Sequence, residues 1–118
     1  MEYQVVETDS GKYVDCKGVI RNEQDAGDLV AACGEHEANR LMLCAGNLTE
    51  DFYRLSTGLA GAVLQKLVNY HVKAAAVLPP ELASRGRFGE MVLESNRGNH
   101  FRVFAGRDEA ERWLTGSP

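Results

Sequence analysis

Apolar and polar positions follow two rhythms along this chain, and the switch between them marks its elements. Tyr3-Gln4-Val5-Val6-Glu7 and Tyr13-Val14-Asp15-Cys16 alternate in part with a period of two, and Asp9-Ser10-Gly11 between them is turn chemistry. This predicts an opening β-hairpin. From Asn22 the period lengthens. Ala26, Leu29, Val30 and Cys33 share one stripe at i, i+3, i+4, i+7, with Asn22 as a cap and acids in the first turn. Leu41-Met42-Leu43-Cys44-Ala45 is then apolar on both faces, as a strand buried between layers must be.

Leu59, Ala60, Val63, Leu64, Leu67 and Val68 fall on one arc at a hundred degrees per residue, with Gly58, Gly61, Gln65, Lys66 and Asn69 on the other. Lys73-Ala74-Ala75-Ala76-Val77-Leu78 reads as a second buried strand, stopped by Pro79-Pro80. A third helix carries Phe88, Met91, Val92 and Ser95 on one stripe, with Gly98 as its left-handed end. A strand over residues 100–105 follows. Asp108 and Glu111 have the spacing of an acidic capping box for a last helix through Trp113 and Leu114. Buried strands alternating with amphipathic helices imply right-handed crossovers and a mostly parallel sheet, to which the hairpin adds an antiparallel pair. The expected fold class is a single α/β domain, an N-terminal β-hairpin followed by alternating αβ units with flanking helices.

Composition narrows the function classes. The 118 residues suit one domain, and a chain of this size buries about two-thirds of its unfolded surface without a covalent staple. At 44% apolar and 25% charged it is neither disordered nor fibrous. A net charge of −4 argues against general nucleic-acid binding. The charge is uneven: residues 1–59 hold five Lys and Arg against eleven acids, residues 60–118 eight against six. Solvated helix faces explain that, and two oppositely charged faces would too. The longest apolar runs are five residues, where a bilayer span needs ~20. The start, Met1-Glu2-Tyr3-Gln4, lacks a signal pattern, and the widely spaced Cys16, Cys33 and Cys44 suit free thiols. A cytoplasmic protein is expected.

Candidate chemistry lies beyond the carboxyl ends of the strands, where open parallel sheets bind ligands. The loop over residues 46–54 leads into Leu55-Ser56-Thr57-Gly58-Leu59-Ala60-Gly61, where the long helix begins. Ser56 and Thr57 suit a helix start because hydroxyls accept from free backbone amides, and the same amides welcome a phosphate or carboxylate. A plain cap, with glycines for close helix–sheet packing, is the simpler reading. Arg85 and Arg87 near the third helix could hold an anion at that edge, or be solvated. Cys44 ends a strand near a helix start, where thiolates can be stabilised; a buried apolar cysteine is the simpler reading. His36, His71 and His100 are scattered, without metal spacing. Gly86 and Gly89 lack the context of a dinucleotide loop.

The topology, with Ser56-Thr57-Gly58-Leu59 opening the helix after the first buried strand, resembles the STAS domain family, whose bacterial members include the anti-sigma factor antagonists. Those carry an Asp-Ser-Ser-Gly-Leu-like turn whose second Ser is phosphorylated by a partner kinase. The resemblance implies that Thr57 holds the regulated hydroxyl, with Ser56 beside it. Leu55 stands where that family usually has Asp, and the preceding loop is a few residues longer. A second resemblance spans almost the whole chain. Leu55-Ser56-Thr57-Gly58-Leu59-Ala60-Gly61 with Leu64-Gln65-Lys66, then Asn69-Tyr70, Lys73 and Glu94-Ser95-Asn96 with Gly98-Asn99, is similar to the bacterial family called domain of unknown function 4180. It implies relatives, not a reaction.

Glu94, Ser95, Asn96 and Asn99, and across from them Asn69 and Tyr70, form a second polar cluster at helix-to-strand turns. Helix termination explains the Asn and Gly there, and a polar interaction surface is the other reading. The binding or regulatory candidates are therefore Ser56, Thr57, Gly58, Asn69, Tyr70, Glu94, Ser95, Asn96 and Asn99. The expected function is a non-enzymatic regulatory or protein-binding module with a bacterial protein partner. The alternative is a small anionic ligand, a nucleotide or phosphorylated metabolite. No cofactor, metal, nucleic acid or membrane is expected, and a homodimer is left open.

Overall fold

The computed structural model describes residues 1–116. β1 (Tyr3–Thr8) and β2 (Gly11–Cys16) form the expected hairpin, with Val5 opposite Val14 and Thr8 opposite Gly11. α1 (Glu23–Glu35) starts at Asn22, whose side chain accepts from the Asp25 amide at 2.9 Å. β3 (Arg40–Cys44), α2 (Glu50–Tyr53), α3 (Leu59–Asn69), β4 (Lys73–Val77), α4 (Pro80–Ala83), α5 (Gly86–Ser95), β5 (Phe101–Phe104) and α6 (Arg107–Thr115) complete the chain.

The five strands lie in the order β1-β2-β3-β4-β5, and only the hairpin pair is antiparallel. Because each parallel strand is added on the same side of the last, right-handed crossovers place α1, α3 and α5 on one face. There Leu29, Leu43, Val63, Leu67, Phe88 and their neighbours form the main core. α6 follows the last strand and covers the opposite face, over a smaller core of Tyr13, Met42, Ala75, Ala110 and Leu114. The sheet is thus buried on both sides, which is why β3 and β4 read as unbroken apolar runs.

α1 and α3 end the same way. Glu37 and His71 take left-handed backbone angles (φ 53° and 57°), and the next amide reaches back five residues: Ala38 to the Cys33 carbonyl at 2.9 Å, Val72 to that of Leu67 at 2.8 Å. These are Schellman closures with a buried apolar contact across each.

Four local expectations are corrected. α5 closes through Asn96 in a right-handed conformation (φ −68°), so Gly98 is not a left-handed end; its amide donates to the Ser95 carbonyl at 3.0 Å in a further turn. α6 begins two residues earlier than the acidic capping box requires, with Gly106 at its cap, and the Glu111 carboxylate accepts from Tyr13 instead of reaching back to the helix start. Val68 stands 41% exposed at the margin of the α3 stripe. β5 is shorter than the apolar alternation suggests, without His100 and Ala105. Among the described residues, no helix is long and apolar enough to cross a membrane.

Candidate functional site

At the carboxyl edge the chain leaves β3 through a 3-10 turn, Ala45–Asn47, pinned by a buried Asn47. Its Oδ1 accepts from the Cys44 amide at 2.7 Å, its Nδ2 donates to the Gly18 carbonyl at 2.7 Å, and its own carbonyl accepts from Ile20 N–H at 2.8 Å. Phe52 and Tyr53 of α2 then pack edge-on against Phe88 of α5, with ring centres 5.9 and 5.1 Å away. Such aromatic contacts add to the burial of three large side chains and fix α2 over the main core.

A second 3-10 turn, Leu55–Thr57, leads to Gly58, whose φ of 80° reverses the chain before α3 starts. An L side chain there is strained, which explains the glycine. The sequence expectation that the hydroxyls cap the long helix is met only weakly. The cap position is Gly58, and Thr57 Oγ1 accepts from the Leu59 amide at 3.3 Å. The stronger bonds of Thr57 Oγ1 run backwards, as donor to the carbonyls of Asp51 (2.6 Å) and Arg54 (2.9 Å). Thr57 therefore closes the corner between α2 and α3. Ser56, Thr57 and Gly58 are nonetheless all exposed. Beside them Glu50 takes both Arg85, through its two guanidinium nitrogens, and Arg54 at 3.4 Å. The Arg85 hydrogen bonds hold the Glu50 carboxyl below the usual carboxylate range. Arg85 is thus committed to an acid, not free for an anion; Arg87 is exposed.

Beneath α6 lies a polar network that the sequence reading did not single out. Asp15 is 2% exposed and takes Arg107 Nη2 at 2.6 Å and Lys17 Nζ at 3.1 Å. Tyr13, fully buried, donates to Glu111 Oε2 at 2.5 Å and receives Arg107 Nη2 at 3.5 Å. Burial first, and the Glu111 hydrogen bond second, push the Tyr13 phenol up to about 12. Burial works against the charge on Arg107, but its bonds to Asp15 and Tyr13 outweigh that, so its pKa is raised. Part of the signal was present: Tyr13 and Asp15 are two apart on a strand, so they share a face, but Asp15 fits the polar place in the alternation, and only the helix over that face buries it. Cys44, read as a buried cysteine, is half-buried, with Arg107 Nη1 3.7 Å from its Sγ. Cys16 and Cys33 are buried, which pushes the Cys33 thiol up to about 11.

The second predicted cluster sits at the amino edge of the sheet. Asn69 and Tyr70 border a depression of about 280 Å3 with Glu23, Gln65 and Lys66. Glu94 and Ser95 border a separate one of about 210 Å3 with Leu64, Val68 and His100. Asn69 accepts from Gln65 at 2.9 Å, Ser95 donates to the Met91 sulfur at 3.2 Å, and Asn99 accepts from Arg102 at 3.1 Å. Asn96 serves the sheet: its amide accepts from Val103 N–H at 2.8 Å and donates to the Val103 carbonyl at 3.4 Å. β5 is an edge strand, and this contact occupies groups that would otherwise invite another strand. Tyr70 is 61% exposed. The 11 residues of α3 separate the two clusters by about 16 Å, so they form two sites, not one. His36 shares a hydrogen bond with Tyr3 at 3.0 Å, away from both. Among the described residues, no three His, Cys, Asp or Glu side chains gather to hold a metal.

Fold and sites together define a small α/β domain with a mixed five-stranded sheet and an exposed hydroxyl turn at its carboxyl edge. The chain belongs to the family DUF4180, described as a domain of unknown function, which it matches over residues 6–114. No curated protein and no solved structure matches it.

Proposed function

We propose that this chain is a regulatory module of the bacterial cytoplasm that works by binding a protein partner, as STAS-like domains do. The observation that carries this reading is the exposed Ser56-Thr57-Gly58 turn, held by Thr57 Oγ1 on the carbonyls of Asp51 and Arg54. A phosphate on Thr57 removes the hydroxyl proton, so both donor bonds are lost and charge of about −1.5 to −2 appears beside two carbonyl oxygens. The corner between α2 and α3 then opens, while the positive end of α3 attracts the new charge. Modification would thus alter both the shape and the charge of the surface a partner meets, and leave the aromatic anchor of Phe52, Tyr53 and Phe88 in place.

The test pairs Thr57→Glu with Thr57→Ala. A partner is captured by cross-linking from a bacterial lysate, identified, purified and titrated calorimetrically. Thr57→Glu is expected to keep the far-ultraviolet circular dichroism and to weaken or redirect binding at least tenfold. Wild-type affinity in both variants would sink the reading. Stabilisation of the chain by nucleotides in a thermal-shift screen, with no dependence on Thr57, would favour a ligand-binding domain in its place.

A further inference from the structure

Three cations gather at the amino edge of the face that α6 covers. Arg40 opens β3 and pairs in register with Lys73 of β4, while Arg102 of β5 lies opposite Ala75. Alternation puts all three on the pleat face of Met42 and Ala75, the face that α6 covers. Their described acceptors are neutral. Lys73 Nζ donates to the Trp113 carbonyl at 2.8 Å, Arg102 to the Gly98 carbonyl at 2.7 Å and to Asn99 Oδ1 at 3.1 Å, and Arg40 to the Lys12 carbonyl at 3.4 Å. The ion pairs among the described residues use other cations. Lys73 Nζ and the Arg102 guanidinium both stand against the Trp113 ring, 4.2 and 5.3 Å from its centre.

Part of this gathering follows from α6, whose last carbonyls carry about half a negative charge. Half a charge does not balance three. Burial, then repulsion from Arg40 and Arg102, pushes the Lys73 ammonium pKa down, as expected of a partly buried ammonium crowded by like charges. In a chain of net charge −4, three partly exposed cations share this one pleat face.

We propose that Arg40, Lys73 and Arg102 form an anion site that takes the phosphate group of a small phosphorylated molecule. Two planar guanidinium forks and one ammonium match a dianion with three terminal oxygens better than they match a single carboxylate. The site lies at the opposite edge of the sheet from Thr57 and needs no protein partner, so it stands apart from the switch proposed above.

Trp113 is the only tryptophan, so intrinsic fluorescence reports on this site directly. Pyrophosphate is the probe, with sodium chloride at matched ionic strength as the control, and variant affinities are read by calorimetry. The wild-type chain is expected to show a saturable fluorescence change with pyrophosphate that chloride does not reproduce. Lys73→Met and Arg102→Met should each weaken binding at least tenfold. Arg85→Met, at the far edge, should bind within threefold of wild type. A response no different from chloride overturns the proposal. So does equal weakening by Arg85→Met and Lys73→Met, which would move the anion to the carboxyl edge.

Discussion

Asp15 shows how one residue can organise a face. A carboxylate removed from water needs partners, and it has two of different quality. Arg107 makes the shorter contact and also reaches Tyr13, while Lys17 is half exposed and lies on the same strand end. Arg107→Met should therefore cost about 1–3 kcal/mol, since it leaves a buried carboxylate with one solvated partner. Lys17→Met should cost less than about 1 kcal/mol, as ion pairs open to water usually do. Urea denaturation of the two variants checks this. Equal losses would mean that Arg107 adds nothing beyond surface charge. The residue types at these positions are legible in the sequence, but their meeting is not: 92 positions separate Arg107 from Asp15.

At the scale of elements, the apolar stripes of α1, α3 and α5 were readable because period 3.6 is a local property. Their ends were less so. α5 closes through Asn96 and not Gly98, because the Asn96 side chain is held by Val103 of the neighbouring strand. The join between α4 and α5 depends on Gly89, where a Cβ would stand 2.6 Å from the Ser84 carbonyl carbon and 2.7 Å from its oxygen. Backbone cannot move aside as a flexible side chain can. Gly89→Ala should destabilise by about 1–3 kcal/mol. Gly61, on the exposed side of α3, has nothing within 4 Å of that position, so Gly61→Ala should stabilise by about 0.5–1 kcal/mol. Thermal or chemical unfolding of the pair decides. If the two substitutions shift stability alike, helix propensity alone governs both sites and the close approach of α4 carries no weight.

For the whole molecule, burial of acidic protons sets an alkaline limit. Tyr13 is raised from 10.0 to about 12 and Cys33 from 9.0 to about 11, both first by burial, and Cys16 is raised as well. The folded state thus keeps protons that the unfolded chain releases. Each contribution is complete below the unfolded value and is lost as pH rises through the folded one, so stability should decline from about pH 9 towards pH 12. Denaturation at stepped pH checks this, with Tyr13→Phe expected to flatten the upper part of the fall. A curve of unchanged slope in that variant would remove Tyr13 from the account. Reductant should leave the curve where it is, because all three cysteines are free.

The short helices α2 and α4 came only with the structure; the sequence by itself determined the hairpin, the order of the strands and the four longer helices, and the main core. These rest on alternation, helical period, turn residues and the handedness of crossovers, all of which act over a few neighbours or on every chain alike. It also located both polar clusters, since Ser-Thr-Gly and Asn-rich turns announce where a helix starts or stops. Tertiary structure alone decided what those groups do. It gave Thr57 to the Asp51 and Arg54 carbonyls, Arg85 to Glu50, and Asn96 to the edge of β5. It also assembled Tyr13, Asp15, Arg107 and Glu111 under α6, set Lys73 and Arg102 against Trp113, and brought Arg40 beside Lys73. The reason is one of range. Burial and periodicity are written into each segment, whereas a charge acquires its partner only when folding brings distant strands and the last helix to one face.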